Sequence, residues 1–219
     1  MGVVVITGAN RGIGLELARH YSKNHTVYAL CRTSSPELNV LANTTVINAV
    51  DVTSESSVEA AIQQCPDGID ILINNAGILQ RVGLDYTDES ILNDQWSVNA
   101  MGPLRVTKAC LSKLRDGSKI ALITSRMGSI ADNDSGSHYG YRMSKAALNA
   151  AGKSLAIDLA PRHIAVAILH PGWVQTDMTG HTGHYRVDQA ATQIMARIND
   201  LRLENSGTFW HSNGDQLPW

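Results

Sequence analysis

The chain has 219 residues, of which 43% are hydrophobic and 17% charged, and its formal net charge is -2 at pH 7. This length is enough for one sizeable core and leaves no room for a second, so we expect a single domain over residues 1–219. The near-zero charge, without a long charge run, argues against nucleic acid and against an anionic membrane as partners.

Short apolar runs alternate with longer amphipathic segments along the chain. The apolar runs predict strands over Val3–Ile6, Val27–Cys31, Thr45–Asn48, Ile69–Asn74, Lys119–Thr124, Ala165–His170 and Gly207–Trp210. The amphipathic segments predict helices over Gly12–Ser22, Ser54–Cys65, Asp88–Leu114, Tyr139–Ala160 and Val187–Asp200. We expect Pro103 to kink or interrupt the longest of these helices. Several strands are apolar on both faces, so the alternation predicts a doubly wound α/β fold with a parallel sheet of about seven strands.

The first predicted strand runs directly into a glycine-rich turn, and the turn opens into the first predicted helix. The turn is spaced Gly8-x-x-x-Gly12-x-Gly14 after Thr7, which differs from the general dinucleotide fingerprint G-x-G-x-x-G. This order of elements places free backbone N–H groups and the positive end of the helix dipole where a pyrophosphate can bind. An ordinary strand-to-helix connection is the alternative, and the flanking strand and helix argue against it.

Polar or turn-forming residues follow the other predicted strands as well. In strand order they are Cys31-Arg32, Asp51-Val52, Asn74-Asn75-Ala76-Gly77, Ser125 and Pro171-Gly172. Open parallel sheets bind their ligands beyond the carboxyl ends of the strands. We therefore expect these residues and the glycine turn to border one ligand cleft.

Tyr141 and Lys145 lie four residues apart in a predicted helix, so their side chains share one face. A tyrosine has a reference pKa of ~10, and a neighbouring ammonium favours the phenolate and lowers that pKa. Such a pair beside a nicotinamide is a reasonable acid/base for exchange between a carbonyl and an alcohol. Tyr139 lacks this partner, because Met143 stands four residues after it. A surface Tyr–Lys pair without a function is the structural alternative. Ser125 could hydrogen-bond the substrate oxygen, and its structural alternative is a serine in a turn at the end of a strand.

Together these motifs resemble those of the short-chain dehydrogenase/reductase family. They follow the family's order over residues 7–172, as Thr7-Gly8-x-x-x-Gly12-x-Gly14, Asn74-Asn75-Ala76-Gly77, Asn99, Ser125, Tyr141-x-x-x-Lys145 and Pro171-Gly172. The segment Pro171–Met178 and the ending Gly207–Trp210 are similar to the compact branch that includes the bacterial C-factor and the insect sniffer-type carbonyl reductases. The resemblance covers essentially the whole chain. It implies a Rossmann-like fold and NADPH-dependent reduction of an aldehyde or ketone to an alcohol.

The resemblance assigns the reaction to four side chains. Tyr141 would be the general acid in reduction and the base in oxidation, and Lys145 would lower its pKa and hold the nicotinamide ribose. Ser125 would orient the substrate carbonyl and stabilise the developing oxyanion. Asn99 would hold a water that links Lys145 to solvent, and its structural alternative is an asparagine that caps or kinks the helix ahead of Pro103.

The resemblance also implies a binding site for NADP(H). Its expected contacts are Gly8, Asn10, Arg11, Gly12, Ile13, Gly14, Arg32, Asp51, Val52, Asn75, Ala76, Gly77, Tyr141, Lys145, Pro171, Gly172, Val174 and Thr176. An NAD site usually has Asp or Glu after the second strand, whereas Cys31 and then Arg32 stand here, with Arg11 in the glycine turn. An arginine meets a phosphate with two parallel hydrogen bonds, so these two favour NADP over NAD. A solvated surface arginine is the alternative for either one alone.

The chain departs from the family pattern at the substrate side. Residues 126–138 form a longer connection than usual, and we expect Asp132–His138 to protrude as a loop at the cleft. The substrate lid after Met178 looks shortened, which predicts a poorly closed cleft. Bulky or aromatic carbonyls would then do better than small ones, by stacking on Trp173 or Tyr185.

Other expectations concern partners and location. Small residues on the helix Tyr139–Ala160 predict a homodimer or homotetramer: Ala146, Ala147, Ala150, Ala151 and Gly152. The three cysteines are odd in number and widely spaced, which argues against a disulfide framework and a metal site. The N-terminus enters a strand without a signal-peptide pattern, so we expect a cytoplasmic protein. A nucleotide-binding regulatory protein and a family member with epimerase or dehydratase chemistry remain the rival functions.

Overall fold

Seven parallel strands form one sheet in the order β3-β2-β1-β4-β5-β6-β7. The computed structural model describes residues 1–86 and 88–219. The strands are β1 (Gly2–Thr7), β2 (His25–Leu30), β3 (Thr44–Ile47), β4 (Ile69–Asn74), β5 (Leu114–Ile123), β6 (Ala165–His170) and β7 (Phe209–His211). The predicted parallel sheet is therefore confirmed, because each predicted apolar run contributes one strand.

Helices cover both faces of this sheet. They are α1 (Gly12–Tyr21), α2 (Pro36–Asn39), α3 (Glu55–Gln63), α4 (Ser90–Trp96), α5 (Gly102–Cys110), α6 (Tyr139–Asp158) and α7 (Val187–Asn199). One core cluster packs residues of α1 and α7 on the sheet, and the other packs residues of α3, α5 and α6. Because helices cover both faces, the strands are apolar on both sides, as the doubly wound fold requires.

The longest predicted helix, Asp88–Leu114, is interrupted near Pro103 as expected, whereas its predicted C-terminal end is wrong. It divides into α4, a π-helical turn over Ser97–Met101, and α5, with Pro103 in the first turn of α5. Proline has no N–H to continue the α-helical bonds, so the irregular turn directly precedes it. The helix also ends at Cys110, because Leu114 already pairs with Ile69 as the first residue of β5.

Three further features concern disulfides, metal ions and membranes. All three cysteines are free and buried. Among residues 1–86 and 88–219, no three His, Cys, Asp or Glu side chains are grouped so as to hold a metal ion. In the same part of the chain, no helix has both the length and the apolar character needed to cross a membrane.

Candidate active site

Residues that follow strands β1 to β6 border one cleft of about 940 Å³. Its lining includes most of the expected cofactor contacts: Gly8, Asn10, Arg11, Gly12, Ile13, Arg32, Asp51, Val52, Asn75, Ala76, Gly77, Tyr141, Lys145, Pro171 and Thr176. Strand order reverses between β1 and β4, and open α/β sheets bind ligands at that point. The structure thus brings the motifs of the sequence together at one edge of the sheet.

The glycine turn leaves no space for side chains between β1 and α1. Gly8 and Gly12 have φ values of 65° and 52°, which favour glycine. A Cβ on Gly14 would lie 2.2 Å from the carbonyl oxygen of Gly8. No side chain among the described residues caps the N-terminus of α1, and its first turn holds no acidic residue. The first N–H groups of α1 therefore lack a side-chain acceptor, which fits the pyrophosphate of a dinucleotide.

A brace between β1 and β4 supports this turn. Thr7 Oγ1 accepts hydrogen bonds from the backbone N–H groups of Asn75 and Ala76, at 3.0 and 3.1 Å. Asn75 Nδ2 donates to the carbonyl oxygens of Thr7 and Gly8, at 3.0 and 3.1 Å. The amide of Asn75 is therefore used by the protein itself, and its role toward a ligand is to fix the wall of the cleft.

The two arginines at the nucleotide end of the cleft differ in their surroundings. Arg11 Nη1 lies 3.0 Å from Asp177 Oδ2, and the two side chains are 68% and 60% exposed. Arg32 is exposed and forms no ion pair with any described residue. Cys31 beside it is buried, and this burial raises the pKa of its thiol.

Several residues at this end were missed by the sequence analysis. The lining also contains Thr33, Ser35 and Glu37, which lie after β2 or in α2. The Ser35 side chain caps α2 through the N–H of Leu38, at 3.3 Å. The signal that would have found this segment is Ser35-Pro36, since serine before proline is typical of a helix start.

Ser125 and Tyr141 lie close together beside the cleft, which Tyr141 lines. Both are buried, with 7% and 8% of their surface exposed. The Ser125 Oγ accepts a hydrogen bond from the N–H of Met127 at 3.2 Å, which fixes its orientation. Burial raises the pKa of Tyr141 to about 12, although the nearby Ser125 hydroxyl acts in the opposite direction. The Tyr141 phenol therefore keeps its proton at neutral pH.

Lys145 does not lower the pKa of Tyr141 in this structure, contrary to the expectation from the sequence. Its Nζ donates to the carbonyl oxygen of Ile123 at 2.9 Å and lies 5.7 Å from the centre of the Tyr141 ring. Burial lowers the pKa of Lys145 itself to about 8. The physical reason is that burial disfavours the charged form of both groups.

Asn99 connects the segment after β4 to helix α6. It is fully buried in the π-helical turn, and its Oδ1 accepts from the N–H of Ile78 at 2.8 Å. Its Nδ2 donates to the Ile78 carbonyl at 2.9 Å and to Ser144 Oγ at 3.1 Å. The side chain is thus a structural link between these two segments, and the expected water relay stays a prediction. The backbone carbonyl of Asn99 lacks the usual α-helical donor, because that donor would be the N–H of residue 103, and Pro103 has none.

Three expected contacts stand behind the wall of the cleft. Val174 is buried and pairs with Tyr185 in an isolated parallel bridge. Gly172 has a φ of 87°, and a Cβ there would lie 2.7 Å from the ring of Tyr185. Gly14 is packed against Gly8, as described above. Their direct contact with a cofactor stays a prediction, and in this structure they shape the backbone around it.

Residues 173–185 form a short segment that we call the lid, at the end of the cleft where we expect the substrate. Its cleft-lining residues are Gln175, Thr176, Asp177, Met178 and His181. It folds back on itself, because the N–H of Tyr185 donates to the Trp173 carbonyl at 3.1 Å and the N–H of Gln175 donates to the Tyr185 carbonyl at 2.9 Å. Trp173 is 49% exposed, whereas the Tyr185 ring packs 5.9 Å from the ring of His211. Trp173 is therefore the more accessible of the two predicted stacking partners.

Comparisons with known proteins agree with this site. Residues 2–186 match the profile of the family described as short chain dehydrogenase. The chain is 36% identical to a 1-hydroxy-2-glutathionyl-2-methyl-3-butene dehydrogenase of Rhodococcus sp. (strain AD45), over 100% of both chains. It is 42% identical to the C-signal of Myxococcus xanthus, over 73% of this chain and 98% of that one.

Two solved structures have the same fold over the whole length. An NADPH bound carbonyl reductase from chicken fatty liver has a TM-score of 0.90 at 29% identity, over 100% of both chains. The carbonyl reductase Sniffer of D. melanogaster has a TM-score of 0.91 at 31% identity, over 100% of this chain and 99% of that one. The predicted resemblance to the compact carbonyl reductase branch is thereby confirmed.

Proposed function

The chain belongs to the short-chain dehydrogenase family, and on this premise we propose that it reduces an aldehyde or ketone to an alcohol with NADPH. The observation that carries the proposal is the closeness of the Ser125 hydroxyl to the buried, protonated Tyr141, which lines the cleft. A carbonyl oxygen placed at these two hydroxyls meets two donors, one of which can release its proton.

NADP(H) fits the cleft at the nucleotide end. The uncapped start of α1 and the glycine turn would hold the pyrophosphate, and Arg11 and Arg32 would hold the adenosine phosphate. Asp51 and Val52 line the cleft where the adenine is expected, and Lys145 lines it where the nicotinamide ribose is expected. The NADPH in the chicken carbonyl reductase supports the same choice. A kcat/KM with NADH equal to or above that with NADPH would contradict it.

The side chains of this protein divide the work of reduction. When bound, NADPH supplies the hydride. Ser125, oriented by the N–H of Met127, would hold the carbonyl oxygen and stabilise the negative charge that develops on it. Tyr141 would give the proton from its hydroxyl, and its raised pKa keeps that proton in place until the oxygen becomes basic.

Tyr141 must recover its proton after each turnover. Lys145 is the nearest candidate on the same helix face, and its lowered pKa of about 8 makes it a ready proton donor at neutral pH. A water on the carbonyl of Asn99 would link Lys145 to solvent. A Cβ on Gly77 would lie 3.2 Å from Asn99 Oδ1 and 3.7 Å from Lys145 Nζ, so both residues approach this glycine.

We infer that bulky carbonyl compounds are better substrates than small ones. The exposed Trp173 beside the short lid offers a ring for stacking. The Rhodococcus relative supports this choice, because the compound in its name carries a glutathionyl group. The test is a panel of small and bulky aldehydes and ketones with NADPH, and one small aliphatic substrate used far more efficiently than all bulky ones would contradict the inference.

A nucleotide-binding regulatory protein is the second candidate, and the 42% identity to the C-signal favours it. The intact Ser125, Tyr141 and Lys145 argue for turnover, because a pure sensor has no need of a protonated tyrosine in the cleft. The same carbonyl panel separates the two functions. NADPH binding without turnover on any carbonyl would support the regulatory candidate.

We further propose a homo-oligomer formed through α6. Tyr139 and Met143 at its start are 38% and 52% exposed, and Ala150 is exposed farther along. Gly152 does not belong to this surface, because a Cβ on it would lie 2.7 Å from Ile168 of the protein's own sheet. A monomeric mass in solution at micromolar concentration would contradict the proposal.

A further inference from the structure

The loop of residues 126–138 connects Ser125 to α6, which carries Tyr141. One side chain of α6 forms hydrogen bonds with this loop. That side chain is Arg142, which directly follows Tyr141. Its guanidinium donates to the Gly136 carbonyl at 3.1 Å, the Ser137 carbonyl at 3.2 Å, Ser135 Oγ at 2.9 Å and, most weakly, the Met127 carbonyl at 3.5 Å. An arginine presents its donors in a rigid planar fork, so one group can bind several acceptors at once. Arg142 thereby contacts both ends of the loop.

The end of the loop that Arg142 holds has an unusual backbone. Gly136, Ser137 and His138 are consecutive and have φ values of 62°, 56° and 53°. Only glycine adopts this left-handed conformation without steric cost, so the other two residues are strained. Such strain persists where the surrounding structure over-determines it. Arg142 stabilises the strained run in two ways. Its side chain donates to two carbonyls of the run, and its backbone N–H donates to the carbonyl of His138 at 2.9 Å.

The strained run also joins the loop of residues 126–138 to the segment that follows β4. The N–H of His138 donates to the carbonyl of Val82 at 2.9 Å, in the segment that follows β4. That segment is anchored nearby, because the N–H of Gln80 donates to the buried Gln95 Oε1 at 3.0 Å. A change in the backbone at residues 136–138 would therefore reach both the loop and the segment after β4.

The first part of the loop, residues 126–132, which we call the inner half, and the outer half, residues 133–137, form different hydrogen bonds. In the inner half, the N–H of Ala131 donates to the carbonyl of Trp219 at 2.9 Å, and that of Asp132 donates to Ser129 Oγ at 3.0 Å. The outer half, residues 133–137, is exposed throughout. Among the described residues, the hydrogen bonds of this outer half to the rest of the protein are those of Arg142.

We propose that Arg142 is a positioning residue for the substrate. It holds the loop of residues 126–138 as a fixed wall beside Ser125 and Tyr141, and so sets the affinity for bulky carbonyl compounds. It takes no part in proton transfer. This role rests on the proposed carbonyl reduction, whereas the fixation of the loop does not.

The test compares Arg142→Met, which keeps an unbranched stem and removes the donors, with Arg142→Lys, which restores one charged donor group. In Arg142→Met, we expect hydrogen exchange at residues 133–138 to rise about tenfold, since the loop loses its ties. We expect the KM for the best bulky carbonyl to rise about tenfold, kcat to stay within about twofold, and the NADPH dissociation constant to stay unchanged. Arg142→Lys should lie between Met and wild type in both exchange and KM.

Arg19→Met is the matched control, because Arg19 is an exposed arginine of α1 whose side chain contacts Glu16. It should leave exchange at residues 133–138 and the KM unchanged. Unchanged exchange in Arg142→Met would overturn the proposal, as would raised exchange with an unchanged KM. A fall in kcat at unchanged KM would also overturn it, because that result indicates a role in chemistry. If the wild type reduces no carbonyl, the proposed function fails, and exchange alone decides whether Arg142 holds the loop.

Discussion

The nucleotide end and the substrate end of the cleft are built from different parts of the chain. At the nucleotide end the wall is backbone, where Gly14 lies so close to Gly8 that no side chain fits between them. At the proposed substrate end stand two loops: residues 173–185, several of which line the cleft, and residues 126–138, which connect Ser125 to α6. Their shape depends on hydrogen bonds within each loop and on the guanidinium of Arg142.

This difference separates what the enzyme shares with its family from what is its own. A site made of backbone at strand ends accepts the same nucleotide in many proteins, because little of it can change without moving the sheet. Loops carried on a rigid scaffold can change length and sequence while the sheet stays as it is. The proposed catalytic pair, Ser125 and Tyr141, belongs to neither loop, so the chemistry can be kept while the substrate changes.

The largest expected effect is the loss of turnover when the proton donor is removed and both ends of the cleft stay intact. Tyr141→Phe keeps the ring in the first turn of α6 and removes the hydroxyl that donates the proton. We expect turnover to fall by roughly 10²–10⁴-fold, the usual worth of general acid catalysis. NADPH affinity, measured by fluorescence titration, should stay near that of wild type. Turnover close to wild type on any carbonyl would show that another group gives the proton.

A smaller effect is expected on NADPH affinity when only the nucleotide end is changed. In Gly14→Ala the new Cβ would lie 2.2 Å from the Gly8 carbonyl oxygen and 2.6 Å from Asn75 Nδ2, so the glycine turn must move. Overpacking of this kind costs about 1–3 kcal/mol, which would weaken NADPH binding about 5- to 150-fold if it falls on the bound state. Calorimetric titration with NADPH measures it.

The control for this variant is Gly117→Ala. Gly117 has a φ of 85° and open space around a Cβ, so the substitution strains the backbone far from the cleft. It should lower the melting temperature and leave NADPH affinity unchanged. Equal losses of affinity in the two variants would mean that general destabilisation, and not the glycine turn, weakens binding.

A pH effect sharpens the comparison at the point where the two ends meet. Burial lowers the pKa of Lys145 from 10.5 to about 8, so above that pH the folded protein loses the charge that would hold the ribose. NADPH affinity should then fall with rising pH, by at most about tenfold per pH unit. Between about pH 8 and pH 10.5 the unfolded chain binds the proton and the folded one does not, so the contribution of Lys145 to the free energy of unfolding rises over this window.

Lys145→Met should abolish both trends. The measurements are NADPH titrations and urea unfolding from pH 7 to 9.5, a range that stays below the raised pKa of Tyr141. The opposite signs of the two trends are the distinguishing result. An NADPH affinity in wild type that is independent of pH over this range would show that the charge of Lys145 does not contribute to binding.

Most of the nucleotide end could be predicted from the sequence, because its signals are local. The glycine spacing, the polar residues at strand ends and the four-residue step from Tyr141 to Lys145 each lie within a short stretch of chain. The missed segment with Ser35 and Glu37 is local too, but α2 is only four residues long. A helix of one turn leaves no periodic pattern to read.

The features that could not be predicted depend on residues far apart in the chain. The expected lowering of the Tyr141 pKa is wrong because burial, which no local pattern reports, dominates both Tyr141 and Lys145. The side-chain role of Asn99 depends on Ile78, which lies twenty-one residues away. The bonds of Arg142 depend on three left-handed residues, of which only Gly136 is of a type that signals such a backbone.

The smallest expected effect concerns the one ion pair that joins the two ends among the described residues, between Arg11 of the glycine turn and Asp177 of the lid. His181 Nε2 lies 3.1 Å from the other carboxylate oxygen of Asp177, so the carboxylate is shared. Because Asp177 occupies Arg11, it competes with the adenosine phosphate for the same guanidinium. Asp177→Asn should tighten NADPH binding and leave NADH binding unchanged. Exposed ion pairs contribute about 0–1 kcal/mol, so the gain is at most about fivefold, and added salt should reduce it.

Asp200→Asn is the control, because Asp200 pairs with Arg197 at the end of α7 and stands outside the cleft lining. It should change neither affinity. If Asp177→Asn weakens NADPH binding instead, Asp177 orients Arg11 toward the phosphate and does not compete with it. The lid would then help to build the nucleotide end, and the division between the two ends would hold for the backbone but not for the charges.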